Sequence, residues 1–210
     1  MADWATIASF ATAGGTLVLA LATFSAVRSS NRSARIAEET LLTSMRPLLV
    51  PSLFDDPDHK VLWHDRHTAL LGGGRAVLEE VDGVIYLALG LRNLGTGIAL
   101  LHGWHPLPGG AFEDRPHIDP EHFRRLTIDL YISAGGSGYW EAAMRDSDDP
   151  LRSFVLDALS KREPIAIELL YGDQQGGQRT ISRFTVMPAH DDGWFGQVGR
   201  HWNVDRPDPR

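Results

Sequence analysis

An uninterrupted run of 24 uncharged residues near the start of the chain, from Trp4 to Val27, constrains the fold more than any other feature. Sixteen of the 24 are Ala, Val, Ile, Leu, Phe or Trp. As a helix rising about 1.5 Å per residue, the run would measure roughly 36 Å, which exceeds the roughly 30 Å hydrocarbon core of a bilayer. The run therefore predicts a transmembrane helix, and we assign residues 1–27 to a membrane anchor.

Two other interpretations of the run stay open. A cleavable signal peptide would fit the small-x-small pattern Ala20-Leu21-Ala22, although no Lys or Arg precedes the run to supply the basic start of such a peptide. A buried helix of a soluble fold would be shorter and would carry a polar stripe, whereas the Ser and Thr residues here are scattered around the helix.

The flanking charges predict the orientation of the anchor. Arg28, Arg32 and Arg35 follow the run directly, and no Lys or Arg precedes it. Because basic residues favour the cytoplasmic side of a membrane, we expect a single-pass protein of the cell membrane with its N-terminus outside and its C-terminal domain in the cytoplasm.

Small residues are frequent in the run, and 15 of its 24 residues are Ala, Gly, Ser or Thr. Ala5, Ser9 and Ala13 lie four residues apart, as do Ala11 and Gly15. Small residues let helices approach closely in a bilayer, so this face predicts association with a second copy or with a partner helix. An Ala-rich composition would explain the same pattern without any association.

Residues 28–46 are predicted to continue the helix as a short juxtamembrane stalk. Pro47 disfavours helical backbone at Arg46, which places the end of the helix there. With barely two heptads, the stalk is too short to form a stable coiled coil by itself.

The rest of the chain differs in charge. The whole sequence has 20 Lys and Arg against 27 Asp and Glu, and residues 47–210 hold 16 and 24 of these, a net charge of −8. This surplus of acid argues against a nucleic-acid partner. The sequence has no cysteine, which excludes disulfides, thiolate nucleophiles, zinc ribbons and iron–sulfur clusters.

Residues 47–190 show the patterns of a β domain. Apolar and polar residues alternate from Leu126 to Ile132 and from Ile165 to Tyr171, which predicts strands with one buried face, and Glu168 points away from that face. The run VIYLALGL is apolar on both faces and predicts a central strand at residues 84–91. Six further segments have strand patterns: 48–53, 61–64, 76–80, 98–104, 139–144 and 179–187.

Short strands separated by Gly, Pro and Asp turns favour a β-sandwich over βαβ units. One helix is predicted at roughly residues 150–162, where Pro150 suits the first turn. Residues 191–210 are predicted to form a C-terminal extension that is partly flexible, because the sequence ends in a polar stretch with two prolines.

Two segments predict β-hairpins. LRNLGTGIALLHGW, residues 91–104, has a strand ending at Asn93, a Gly95-Thr96-Gly97 turn and a second strand. LLYGDQQGGQRTISRF, residues 169–184, has a turn from Gly172 to Gly177 between two strands. Gly supplies a positive φ angle in such turns, and Asp or Asn caps the turn through its side chain.

Together with the apolar run and the Arg46-Pro47 start of the first strand, these two segments resemble a group of actinobacterial single-pass membrane-anchored proteins. In that group an immunoglobulin-like β-sandwich carries an RN-G-G-A turn and a Y-D-GG-RT-RF hairpin. The resemblance covers most of residues 4–187 and implies the same fold and anchoring here. It supplies no catalytic residues, because both motifs are turn motifs.

The densest group of candidate metal ligands is His59, His64 and His67, which lie among four aspartates in DDPDHKVLWHDRH. On a strand, His64 and His67 would point to opposite faces, and the group lacks the helical H-E-x-x-H spacing of zinc enzymes. The pattern predicts a solvated acidic loop, with a metal site as the alternative. His102 and His105 flank Trp104 and are expected to be structural or exposed.

Other motifs predict no chemistry. Ser137 lies in GGSGYW, which lacks the G-x-S-x-G elbow, and the glycine runs at 72–74 and 135–136 lack the following Lys-Ser or Lys-Thr of a P-loop. Arg179 and Arg183 share one face of a predicted strand, where they form an anion-binding patch or pair with Glu168. We therefore assign no catalytic, cofactor-binding or metal-binding residue.

The function expected from the sequence is that of a membrane-anchored interaction or scaffolding module with a cytoplasmic β domain that binds a protein partner. One alternative is a membrane-tethered, metal-dependent hydrolase built on His59, His64 and His67. Another is an exported binding domain.

Overall fold

The computed structural model describes residues 3–110, 114–176 and 178–208, apart from the side chains of residues 5–7, 11, 42 and 43. Gly177 at the end of the second predicted turn, the side chains of Ala5 and Ala11, and the outermost residues of the predicted anchor and C-terminal extension lie outside the described residues. Contacts divide the chain into two units, Met1–Ser44 and Met45–Arg210.

The first unit is one long helix. Helix α1 spans Trp4–Ser44, so the predicted anchor and stalk form one continuous helix of 41 residues. The part that is long and apolar enough to cross a membrane falls within Ala8–Leu41. The helix ends at Ser44, two residues before the predicted end at Arg46, as expected from the proline at position 47.

The second unit is mainly β. Its strands are β1 (Leu49–Pro51), β2 (His59–Leu62), β3 (Thr68–Leu71), β4 (Arg75–Val81), β5 (Val84–Asn93), β6 (Ala99–Pro108), β7 (Arg124–Ile132), β8 (Ser137–Met144), β9 (Ile165–Gly172), β10 (Thr180–Pro188) and β11 (Trp194–Asn203). A 3-10 turn at Pro120–His122 precedes β7. Helix α2, Arg152–Lys161, lies within the predicted range and ends where Arg162 adopts a left-handed conformation with φ of 53°.

Nine strands form one curled antiparallel sheet in the order β1-β5-β4-β11-β10-β9-β6-β7, with β8 paired to the other side of β5. β5 pairs with β1, β4 and β8, which confirms the central strand predicted there. The curl brings β8 opposite β6 across one core, where the rings of Trp104 and Trp140 lie 5.4 Å apart. β2 and β3 form a separate hairpin that packs through Val61, Trp63 and Leu71 on Tyr86 and Ala88 of β5.

The hairpin predicted at residues 169–184 is confirmed, because β9 and β10 pair from Tyr171 and Thr180 onward. The hairpin predicted at residues 91–104 is wrong. β5 and β6 are consecutive in the chain, yet β6 pairs with β7 and β9 at the far end of the sheet. The glycines of this turn have a different role, since a Cβ atom at Gly97 would collide with the carbonyl oxygen of Met45.

β9 is buried on both faces, whereas the sequence pattern predicts one buried face. A small apolar cluster of Phe123, Leu170, Ile181 and Trp202 covers its outer side. Trp202 belongs to β11, a strand within residues 191–210, which the sequence predicts to be a partly flexible C-terminal extension. β11 pairs with β10 from Trp194 to Asn203, so the sheet continues past residue 190.

Candidate interaction site

The three histidines of the predicted acidic loop have separate environments. His59 packs against the ring of Tyr139, with ring centroids 5.7 Å apart. His67 lies 2.8 Å from a carboxylate oxygen of Glu79 and stacks on Tyr86, while His64 is exposed. Within residues 3–110, 114–176 and 178–208, no three histidine or acidic side chains are grouped so as to hold a metal ion.

The two arginines of the predicted anion patch have carboxylate partners. Arg183 is 1% exposed and donates two hydrogen bonds to Glu168 Oε1, at 2.9 and 2.6 Å. It also donates to the backbone oxygen of Pro116 and lies over the ring of Trp202. Arg179 binds Asp205. Of the two predicted alternatives, the structure therefore has the pair with Glu168.

The two turn motifs meet at the start of β1. The buried side chain of Asn93 accepts hydrogen bonds from the backbone N–H groups of Leu48 and Gly95 and donates to the carbonyl oxygens of Gly97 and Ile132. Tyr171, from the second motif, accepts a hydrogen bond from the backbone N–H of Leu49. These contacts make the motifs structural, because they fix the segment through which the chain enters the sheet.

A pair formed by the buried Ser182 and the half-buried His201 lies beside this segment. Ser182 Oγ is 2.6 Å from His201 Nδ1 and 2.8 Å from the hydroxyl of Tyr171. A serine and a histidine at this distance have the geometry of an activated nucleophile. Ser182 is 0% exposed, however, and its hydroxyl is also hydrogen-bonded to that of Tyr171, so we interpret the pair as structural.

The edge strand β7 carries an unpaired segment. Leu130 pairs with Leu101 and Arg125 pairs with Gly103, so four residues of β7 stand opposite a single residue of β6. Residues 126–129, of sequence LTID, have no strand partner among the described residues. Ile128 is 52% exposed, although its place in the alternating pattern predicts burial. A bulge of this kind leaves backbone N–H and C=O groups free for another chain.

A cleft of about 180 Å³ lies between this bulge, β8 and the end of β2. We call it the β7–β8 cleft. It is lined by Leu62, Trp63, His64, Leu126, Thr127, Ile128, Glu141, Ala142, Ala143 and Arg145. Roughly 300–1000 Å³ is usual for sites that bind drug-sized ligands, so this cleft has the size for a smaller group.

On the β8 side of the cleft, side-chain donors bind two backbone carbonyl groups. Trp63 Nε1 donates to the carbonyl oxygen of Ala142 at 3.0 Å, and Arg152 donates to that of Met144 at 2.8 Å. Because these carbonyl oxygens already accept hydrogen bonds, they are not available for pairing with a further strand. The accessible backbone edge at the cleft therefore belongs to β7.

The cleft contains one buried carboxyl group, that of Glu141, which is 9% exposed. Its Oε2 atom is shielded from solvent and has no hydrogen-bond partner in the described residues. Burial raises the pKa of Glu141, and the charge of Arg145 opposes this effect. Arg145 itself is bonded to Asp65 Oδ2, at 2.8 Å.

Asp65 forms the salt bridge with Arg145. It also accepts a hydrogen bond from the Tyr86 hydroxyl at 2.7 Å. Burial acts to raise its pKa, but the hydrogen bonds from Tyr86 and Arg145 outweigh burial and lower the pKa to about 2. Asp65 is thus ionised and paired, and Glu141 is left as the unpaired acid of the cleft.

Sequence reasoning does not identify this site. The pattern at residues 126–132 predicts a regular strand, and a bulge depends on the pairing with β6, which is a long-range contact. Glu141 follows Trp140 in a strand pattern, and alternation along the strand predicts that it faces solvent. It is buried because the β2–β3 hairpin covers the outer face of β8, which no local pattern indicates.

Comparisons with known proteins add little to this geometry. No protein-family model and no curated protein matches the chain. A crystal structure of a protein from Archaeoglobus fulgidus is similar at 11% identity, covering 62% of this chain and 94% of that one, with a TM-score of 0.25. At that TM-score the likeness carries no argument.

Proposed function

We propose that the protein is a membrane-anchored interaction module, in which α1 crosses the membrane and the β domain binds an extended segment of a partner protein at the β7–β8 cleft. The observation that carries the proposal is the unpaired segment 126–129 beside an apolar cleft. An extended peptide can add itself as a strand to such an edge, gaining affinity from backbone hydrogen bonds and specificity from side-chain pockets.

The exposure of α1 supports insertion into a membrane. Trp4, Phe10, Leu19 and Phe24 are 82%, 76%, 68% and 67% exposed. Apolar surface of this extent is rare on soluble monomers and is typical of membrane or protein contact. A bilayer would cover it along the whole length of the uncharged run.

The hydroxyl groups of α1 are compatible with a hydrocarbon environment. Thr12, Thr16 and Thr23 each donate to the carbonyl oxygen four residues earlier, and Ser25 donates to that of Ala22. A polar group in the bilayer core needs a partner within the protein, because no water is available there. These hydroxyls have such partners within the helix.

The orientation, the fold family and the association of α1 belong to the same proposal. Arg28, Arg32 and Arg35 favour a cytoplasmic domain. The packing of two parts of a curled antiparallel sheet around one core supports an immunoglobulin-like architecture and kinship with the actinobacterial anchored proteins. Ser9, Ala13 and Gly15 support helix association in the membrane.

Site-specific photocrosslinking of the full chain in its native membranes tests the proposal. A photoreactive residue at Thr127, which is exposed in the unpaired segment, should crosslink to a protein partner. The same residue at Leu70, which is 71% exposed on β3, should not give that product. Adding Ile128→Asp should abolish the Thr127 product. Equal crosslinking at Thr127 and Leu70 would contradict a binding site at the cleft.

A further inference from the structure

We infer that the β7–β8 cleft receives a basic side chain of the partner, a lysine or an arginine, and that Glu141 is the residue that pairs with it. The inference rests on the proposed function, since the same cleft receives the partner. It adds the chemistry that the partner must present there.

Among the described residues, one carboxylate oxygen of Glu141 is buried without a hydrogen-bond partner. A buried carboxylate is costly unless it is paired and hydrogen-bonded, and buried charges in proteins are accordingly found with partners. Glu141 is 9% exposed, and its Oε2 atom has no hydrogen-bond partner in the described residues. A donor brought by another molecule would supply the missing interaction.

Two arginine side chains lie near Glu141, and both have other partners. Arg145 lines the cleft but is bonded to Asp65 through both Nε and Nη2. Arg152, behind β8, donates to the carbonyl oxygens of Met144 and Gly83. Both arginines therefore have partners other than Glu141, and the carboxyl group remains available to an incoming cation.

The walls of the cleft suit the stem of a basic side chain. Leu62, Ile128 and Ala142 give it an apolar lining, and its volume of about 180 Å³ is that of a small group. Lysine and arginine combine an apolar stem with a charged head, so the stem would contact these walls while the head reaches Glu141. The net charge of −8 on residues 47–210 also favours a cationic partner.

A metal ion is a poorer occupant. Hard cations take six or more oxygen ligands, and zinc takes four. Around Glu141 the described part of the chain contains no group of three such ligands. An anion in the cleft would face the carboxyl group of Glu141 and would be repelled.

Titration of the full chain in detergent micelles with n-butylammonium tests the inference, with n-butanol as the neutral counterpart of similar size. The backbone amide resonances of Ala142 and Ala143 should shift saturably with n-butylammonium and at least tenfold less with n-butanol. Glu141→Gln keeps the shape of the side chain and removes its charge, and it should weaken n-butylammonium binding at least tenfold. Glu121→Gln, on an exposed turn, should leave binding unchanged.

Equal shifts with both compounds, or unchanged binding by Glu141→Gln, would overturn the inference and indicate that water satisfies Glu141. The photocrosslink at Thr127 separates this failure from failure of the proposed function. If Glu141→Gln keeps the partner crosslink and n-butylammonium does not bind, the cleft still binds a partner. In that case Glu141 does not pair with a basic side chain of the partner. If the crosslink is absent while n-butylammonium binds through Glu141, the proposed function is wrong.

Discussion

Arg183 and Arg179 illustrate how burial decides what a charged residue does. On a strand the two residues share a face and look equally available to a ligand. Arg183 is covered by the ring of Trp202 and by the backbone near Pro116, where it neutralises Glu168. Arg179 stays near the surface with Asp205. The sequence predicts their common face but not the difference in burial, because the covering residues come from distant parts of the chain.

Replacing Glu168 with Gln should strongly destabilise the β domain. The substitution leaves the guanidinium of Arg183 buried without a counter-charge, and breaking a buried pair in this way costs about 3–5 kcal/mol. Urea denaturation of the full chain in micelles measures the free energy of unfolding. Lys161→Gln breaks an exposed pair with Asp157 and should cost far less, because solvent screens that pair. Similar losses of unfolding free energy for both variants would show that the buried pair contributes no more to stability than an exposed pair.

The stability of the domain should fall in mild acid because of His102 and His105. Burial, and next the charge of Arg179, lower the pKa of His102 below 6.5, and burial lowers the pKa of His105. The unfolded chain therefore binds protons more readily at these positions. The free energy of unfolding should be highest above about pH 6.5 and should decrease as the pH falls below that value.

Denaturation series at several pH values would measure this dependence. His102→Asn should flatten it, because one of the two histidines no longer titrates. His190→Asn, at an exposed position, serves as the control and should leave the pH dependence unchanged. A wild-type stability that is constant between about pH 8 and pH 5 would contradict the prediction.

Among the elements, strands with strong local patterns can be predicted from the sequence. The strands with which they pair in the sheet cannot. The continuous apolar run of β5 indicates a strand that is buried on both sides, and the β9–β10 hairpin follows from a short turn. β11 is missed because its sequence, WFGQVGRHWN, contains two glycines and mixes polar and apolar residues. The Gly95-Thr96-Gly97 turn resembles a hairpin, but its glycines serve the close approach of residues 45–48.

Gly97→Ala should destabilise the start of the sheet. The added Cβ atom would collide with the carbonyl oxygen of Met45, so the backbone must move and disturb the hydrogen bonds of Asn93. We expect a loss of about 1–3 kcal/mol. Gly110→Ala, where the nearest atom among the described residues is 3.9 Å from the added Cβ, should change stability by less than about 0.5 kcal/mol. Chemical denaturation of both variants would show whether close approach is the reason for a glycine at position 97.

The part of α1 that follows the uncharged run should bind anionic lipids. Arg28, Arg32 and Arg35 are exposed, and their spacing places them on one side of the helix. Each basic residue near an anionic surface contributes about 1 kcal/mol. Phosphatidylglycerol should co-purify with the full chain, and replacing the three arginines with Gln should remove most of it. Arg66→Gln, on an exposed turn of the β domain, should not change the lipid content.

For the whole molecule, the division into two units predicts that the β domain folds without α1. Residues 45–210 contain the whole sheet and its core. A fragment with these residues should remain in solution without detergent, and its urea midpoint should match that of the full chain. A fragment that aggregates or unfolds at lower urea would show that α1 stabilises the sheet.

Reporter fusions after Pro51 test the orientation of the whole chain. If the proposed orientation holds, a fluorescent protein should be active there and alkaline phosphatase inactive, because the positive-inside rule predicts a cytoplasmic location for this position. The opposite result would place the β domain outside and favour the exported binding domain. It would also require the partner of the cleft to be an extracellular protein.

The junction between β4 and β11 has a consequence for biosynthesis. These two strands are joined by only two residue pairs, Ala76–Trp194 and Arg75–Phe195, and the second strand is translated more than 100 residues after the first. Such long-range pairing forms slowly. The edge of β4 that β11 covers therefore stays unpaired until β11 leaves the ribosome. The nascent chain should depend on chaperones most during this interval.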